Sequence, residues 1–559
     1  MIFDMERWLG LFKQELEVAM KATEEVGRRL SVEDSLPYML GWVDSDVAIS
    51  GRRLVMGTSY LWQLAETHAL FGWSVVGLRM TLTLEGPKLM VDVEAPLERL
   101  DEAISRSARN GWLKVLGVET GLEDLMHVKS WEGLKQWVAD HWSIVVDAAV
   151  RRLGEEIRSE LEALRDRLND DKIAREAIAP ALLLMQGERL GVDETTLKYF
   201  AAAISGAIGG DGHVSSASKR DELVSGKREI ALLWAAALAA YGIKAEVRGT
   251  GRKFHVVASG VGAAGLAGLY YLYGAPLLEG DERIINHKLY EAMKLGAEGL
   301  DIRWEGLRRR TEGGRVAADL TISVSGVAVK YNVYLRRDDI LLQFASTDRS
   351  RVELAARLLR LAGVVAEVKK EGGKMAKRHS GRDVWYVVAT TDRLAAGRKE
   401  LRDAVRKVVE ETLKKGWVKA DKAEGWLKKL EKGLTLREDW PRYLVRLTEG
   451  ALVVRYQSTN SGNIEREKQR LENMGLVEGV HFTVKMPEGG RQGYVRILKE
   501  GLEHAAWLSV HGEGERQGLA AEFVEYILRR AREAGEKVYE KAKEIIEEGR
   551  LGLSDVEGL

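Results

Sequence analysis

The sequence predicts an α+β protein built from tandem αββαββα units, joined by helical connectors and closed by a C-terminal helix. Three observations predict it. A short helix-like motif ending in aspartate occurs twice, 165 positions apart. Each copy is followed by segments that alternate apolar and polar residues, the period of a half-buried strand. The inner helix of each copy stops at a glycine, the residue that most readily takes the left-handed conformation just past a helix.

The first motif lies in YMLGWVDSDVAIS near residue 40 and the second in AAISGAIGGDGHVS near residue 205, and they align without a gap. Pro37, Gly41 and Ser45 fall on Ala202, Gly206 and Gly210, and Asp46 falls on Asp211. After Asp46 the pattern predicts strands at 47–50 and 54–58, a helix at 59–71 closed by Gly72, strands at 74–84 and 88–94, and a helix from Pro96. After Asp211 it predicts strands at 213–218 and 222–225, a helix at 227–241 closed by Gly242, strands at 244–248 and 253–259, and an apolar helix from Gly262.

Two partial copies follow. One has a strand at 340–347, a helix at 349–362 and strands at 366–370 and 383–390; the other has a strand at 452–459, a helix ending at Met474, and strands at 481–486 and 493–498. Ser346-Thr347 and Ser458-Thr459 stand where Thr58-Ser59 stands and are expected N-caps. The expected division is a first unit at 1–110, a helical insert at 111–190, a second unit at 191–282, a helical connector at 283–315, a degenerate third unit at 316–400, a helical connector at 401–440, a degenerate fourth unit at 441–516 and a single charged helix within 517–559. In the fourth copy, YLVRLTEGALVV (443–454) offers Glu449 as a remnant of the motif acid.

Composition narrows the function classes. At 559 residues the chain exceeds one core, and 45% hydrophobic with 30% charged residues describes a globular protein. The absence of cysteine excludes disulfides, zinc ribbons and thiol catalysis. Net charge is zero, yet residues 361–420 carry 15 Lys and Arg against 8 Asp and Glu, so charge is locally concentrated. Gly260–Leu278 is free of charge, but five glycines and a proline within it suit a packed helix better than a membrane span. The N-terminal MIFDMERWLGLFKQE carries charges inside its apolar stretch and does not read as a signal peptide, so a cytoplasmic location is expected. Trp62, Trp234 and Trp385 fall at apolar periodic positions and are expected in the core.

Small residues every fourth position let two helices approach backbone to backbone. Helical glycine costs up to about 1 kcal/mol, so Gly206, Gly209 and Gly210 together call for a close contact. Gly41, Ser45, Gly206 and Gly210 are the expected interface between the two motif helices. That contact would bring Asp46 and Asp211 together at the helix C-termini, where the dipole and the second carboxylate both oppose ionisation. A divalent cation with a preference for oxygen, Mg²⁺, would relieve both.

MLGWVDSDV (39–47) and ISGAIGGDG (204–212), each followed by ββαββα, resemble the LAGLIDADG motif of homing endonucleases. The resemblance implies that the sheets form a saddle on DNA or structured RNA, with Arg52, Arg53, Arg79, Lys88, Lys219, Arg248, Arg252 and Lys253 as nucleic-acid contacts. It also implies Asp46 and Asp211 as catalytic and Mg²⁺-binding carboxylates. Departures weaken the nuclease: Val47 replaces the last glycine, Gly209 stands opposite Asp44, and no basic residue is evident at the family's catalytic lysine position. The stretches SGKREIALLWAAALAAYGIKAEVRG, LLEGDERIINHKL and GLDIRWEGL resemble the paralogous-repeat (PaRep) proteins of hyperthermophilic crenarchaea, over most of residues 200–550. The expected function is nucleic-acid binding without efficient catalysis. The alternatives are a divalent-metal-dependent DNA endonuclease and a protein-interaction scaffold, with a monomer of internal pseudo-symmetry as the simplest assembly.

Overall fold

The computed structural model describes residues 34–551 other than 84–85, 251–252, 275–285, 310–315, 337–338, 365, 367, 371–382, 433–440, 442, 460 and 489–491, with a few positions before residue 34. The fold is α+β and divides into two compact units: residues 1–299 with 324–327, and residues 300–323 with 328–559.

In the first unit, motif helix 1 (Leu36–Ser45) leads to strands β1 (Ala48–Ser50) and β2 (Arg53–Thr58), a helix (Leu61–Phe71), strands β3 (Ser74–Thr83) and β4 (Gly86–Pro96), and a helix (Glu98–Asn110). Motif helix 2 (Glu194–Gly209) leads to β5 (His213–Ser215), β6 (Arg220–Ser225), a helix (Arg228–Ala240), β7 (Ala245–Thr250), β8 (Lys253–Ser259) and a helix (Val261–Tyr273). The two antiparallel sheets have the same strand order, β1-β2-β4-β3 and β5-β6-β8-β7. The inner helices stop at Gly72 and Gly242, with φ of +63° and +77°, where a Cβ would be strained. Between the copies lies an insert of helices, of which Asp171–Leu190 is the longest and packs on motif helix 1. No described helix is long and apolar enough to cross a membrane; of the charge-free stretch 260–278, residues 275–278 lie outside the described residues.

The second unit carries two further sheets. One has the order β13-β14-β12-β11-β10-β9, from β9 (Leu300–Arg309), β10 (Val316–Val324), β11 (Val327–Leu335), β12 (Ile340–Ser346), β13 (Val368–Lys370) and β14 (Trp385–Thr390). The other has the order β15-β16-β18-β17, from β15 (Leu444–Thr448), β16 (Ala451–Ser458), β17 (Phe482–Lys485) and β18 (Gly493–Ile497). Its strand order repeats that of the first unit, and so does the β11-β12-β14-β13 part of the larger sheet.

Four expectations change. The expected helical connector holds strand β9, whose alternation of half-buried and exposed residues is a strand period. Glu449 is not at a helix end: with Gly450 it forms the turn of the β15–β16 hairpin, at φ of +52° and +82°, as a two-residue turn of this kind requires. The C-terminal helix is two helices, Gly514–Ala534 and Glu536–Arg550, broken at Gly535 with φ of +128°. The expected caps stand too early: Thr58 and Ser346 instead accept a hydrogen bond from the amide two residues on, each at 3.0 Å, as Ser225 does in the second copy at 3.2 Å, and so hold the turn that precedes the helix. The cap of the third-copy helix is Asp348.

The first unit's core is organised by the two motif helices, whose residues are nearly all buried. A Cβ on Gly41 would lie 2.0 Å from the Ala203 carbonyl oxygen, and one on Gly206 would lie 2.4 Å from that of Tyr38. One on Gly210 would fall 2.4 Å from the Ser45 Cβ. The helices are in backbone contact, and only glycine fits. Gly41→Ala is therefore expected to force them apart and lower stability by about 1–3 kcal/mol or more in urea unfolding. Gly425→Ala, on the exposed side of helix Ala420–Lys432 with nothing near its Cβ, is expected to raise stability by about 0.5–1 kcal/mol. A Gly41→Ala protein as stable as wild type would contradict the packing.

Candidate functional site at the paired helix ends

The helix contact determines what meets at the C-terminal ends. Gly210 abuts Ser45 and the Asp46 amide, so the aspartates that follow each helix are neighbours across the interface. Asp46 is half-buried and Asp211 exposed. Burial, and then the charge of Asp211, push the Asp46 carboxyl up to about 6; Lys288, Arg175 and a hydrogen bond from Gln63 oppose the shift. The Gln63 amide donates to Asp46 Oδ2 at 2.5 Å, and Thr58 Oγ1 donates to the Gln63 carbonyl, so a chain of polar groups fixes the carboxylate from below. Asp44 also belongs to the cluster: Trp234 Nε1 donates to its Oδ2 at 3.2 Å. Burial, with the charges of Glu176 and Asp211, raises its carboxyl well above the usual range.

Two cations close the helix ends, and sequence reasoning missed both. Arg175, on helix Asp171–Leu190, donates from Nη1 to the carbonyls of Val43, Asp44, Ser45 and Val47 at 2.9–3.2 Å. Lys288, on helix His287–Gly296, donates from Nζ to the carbonyls of Ile208 and Gly209 at 3.0 and 2.8 Å, and to that of Gly210. Each motif helix thus ends against a side-chain cation, where the dipole is negative and unpaired carbonyls accumulate. Burial lowers the Lys288 pKa, while the charges of Asp46, Asp211, Glu66 and Asp221 hold it up. Asn286 orients this lysine: its side chain accepts from the Lys288 amide at 3.1 Å and donates to the Tyr270 hydroxyl at 2.8 Å. No local signal marks either cation, since each reaches the site from a helix outside the repeat.

Beneath the pair, Glu66 is fully buried and accepts a hydrogen bond from the Tyr38 hydroxyl. Burial pushes its carboxyl up to about 8. Its position four residues after Trp62, on an apolar helix face, was the readable sign of a buried acid. Asp221 is also buried and raised by burial, with neither carboxylate oxygen hydrogen-bonded among the described residues.

Mg²⁺ takes oxygen ligands at about 2.0–2.1 Å in near-octahedral geometry. Here Asp46 already receives the Gln63 amide and the Lys288 ammonium sits on the helix-end carbonyls. No group of three or more His, Cys, Asp or Glu among the described residues could hold a metal ion. The positive charges beside the carboxylates are those of Lys288 and Arg175.

Most of the expected nucleic-acid contacts are ion-paired. Arg52 pairs with Glu98, Arg53 with Glu94 at 2.7 Å, and Arg79 bidentately with Asp92 at 2.5 and 2.8 Å. Lys219 pairs with Glu298 and Arg248 with Glu246, each at 2.8 Å. Lys253 is exposed and makes no ion pair among the described residues. Arg252 and the side chain of Lys88 lie outside the described residues, as do positions 371–382 of the basic stretch. Trp62 and Trp234 are buried as expected, but Trp385 is half-exposed, with Arg349 and Lys370 at 4.7 and 5.7 Å from its ring centre.

The Glu66 carboxyl has an ordinary pKa of 4.5 and a folded value of about 8. Between these values the folded chain keeps a proton that the unfolded chain releases, so the group's contribution is greatest below 4.5 and is lost as pH rises through about 8. Glu66→Gln cannot ionise, so its melting temperature is expected to gain on that of wild type as pH rises from about 4 to about 8. A gap that does not change with pH would contradict a buried, protonated Glu66.

No curated protein and no solved structure matches this chain. Residues 312–518, which hold the third and fourth copies, match the family model described as PaRep2b protein, so the chain is similar to the paralogous-repeat proteins there.

Proposed function

We propose that this protein is a nucleic-acid-binding protein derived from LAGLIDADG homing endonucleases, holding DNA or structured RNA without efficient cleavage. The observation that carries the reading is the backbone contact of two glycine-bearing helices, each followed by an aspartate and by a four-stranded sheet of the same strand order. Lys288 and Arg175 favour loss of cleavage over its retention. They neutralise the helix ends and the carboxylates with fixed side-chain charge, leaving a divalent ion less to stabilise.

Fluorescence anisotropy with labelled duplex DNA and structured RNA, with Ca²⁺ present, tests the reading. Binding that weakens with rising salt, together with uncut DNA after exchange into Mg²⁺, is the expected result. Mg²⁺-dependent cleavage lost in Asp46→Asn and Asp211→Asn would instead support an endonuclease. No binding to either nucleic acid at low salt would overturn nucleic-acid binding and leave the protein-interaction scaffold.

A further inference from the structure

The exposed face of the β15–β18 sheet carries a cation on each strand and no carboxylate among its strands. On the other sheets most cations pair with a carboxylate close by: Arg53 with Glu94, Arg79 with Asp92, Arg248 with Glu246, Arg308 with Asp319 and Lys370 with Asp383. Strands β15 to β18 contain no Asp or Glu. Each contributes one cation, Arg446, Arg455, Lys485 and Arg496, and none of these makes an ion pair among the described residues.

The register puts all four on one face. Arg455 stands opposite Arg496, Arg446 opposite Val453, and Lys485 opposite Tyr494. Val445, Val454, Phe482, Val495 and Ile497 alternate with them and are buried on the other face. Strands lie about 4.8 Å apart and rise about 3.3 Å per residue. Arg446 is displaced by two residues to one side of the Arg455–Arg496 pair, and Lys485 by two residues to the other. The cations therefore form one oblique line across the sheet, roughly 20 Å from end to end. A single line of charge fits one phosphodiester strand better than the two backbones of a duplex.

The centre of the line is a stacking surface. The Arg455 guanidinium lies over the Tyr494 ring, 4.0 Å from its centre, and unpaired bases stack on guanidinium planes and aromatic rings. Thr483, opposite Arg496, and Gln457, opposite Tyr494, flank the line with hydrogen-bonding groups suited to 2′-hydroxyls.

We propose that this face binds single-stranded RNA, its backbone following Arg446, Arg455, Arg496 and Lys485. The surface lies in the second unit and does not depend on the paired aspartates of the first, so each claim can fail without the other.

The test uses the full chain and a labelled oligouridine of about 20 nucleotides, with oligothymidine and duplex DNA of equal length, followed by anisotropy at about 50 and about 200 mM salt. The oligouridine is expected to bind more tightly than oligothymidine, with a log–log salt slope of about −2 to −3, as three to four released counterions dictate. The variant Arg446→Glu/Lys485→Glu/Arg496→Glu, all at exposed positions, is expected to lose at least about tenfold in affinity. The control Lys114→Glu/Lys129→Glu, at exposed positions outside both proposed surfaces, is expected to lose none. If the triple variant melts early, the charge-neutral single variants Arg446→Gln and Arg496→Gln carry the same comparison. Absence of oligouridine binding, oligouridine binding unaffected by the triple variant, equal or tighter binding of oligothymidine, or duplex binding weakened by the triple variant as much as oligouridine binding would overturn the proposal.

Discussion

The backbone contact between the two motif helices governs the first unit. Gly41 and Gly206 each present bare Cα to a carbonyl of the facing helix, and that distance leaves no room for a side chain on either. Gly210 then lies against Ser45. Once the helices touch this closely, the aspartates just beyond their ends must be neighbours, and each sheet follows from the same helix by the same short path. The glycines lose intrinsic helix stability; burial of both helices on nearly every face offsets it.

Bringing two helix C-termini together concentrates negative charge from carbonyls and carboxylates in a half-buried place. The fold answers with Arg175 on one helix end and Lys288 on the other. These donors come from the insert and from the segment after the second copy, so both elements complete the site rather than merely connect repeats. The same economy of charge appears on the sheets of the first unit, where exposed arginines face carboxylates in the same copy. The strands of the fourth-copy sheet carry cations and no carboxylate.

Much of the fold was legible because local physics dominates it. Period-two strands, helices stopped by Gly72 and Gly242, and glycines spaced every fourth residue each reflect a constraint within a few residues. The third-copy strands and helix were found within two residues of their observed ends. What was missed depends on contacts distant in sequence. Lys288 is bonded to Gly209 across the fold, and nothing in its own segment says so. Glu449 resembled a helix-end acid until its hairpin register was known. Arg53 and Arg79 read as free cations because Glu94 and Asp92 reach them only through strand pairing. The fourth-copy cations form a line for the same reason, invisible until the register places them on one face.

The central claim is that helix contact makes Asp46 and Asp211 electrostatic neighbours beside a buried lysine. Carbon-detected NMR titration of selectively labelled aspartate, in wild type and in Asp211→Asn, measures this most directly. The account predicts an Asp46 pKa of about 6 in wild type and a clear fall in the variant, because the neighbouring charge is gone while Lys288 remains. An Asp46 that titrates in the ordinary range, or at the same value in both proteins, would contradict it.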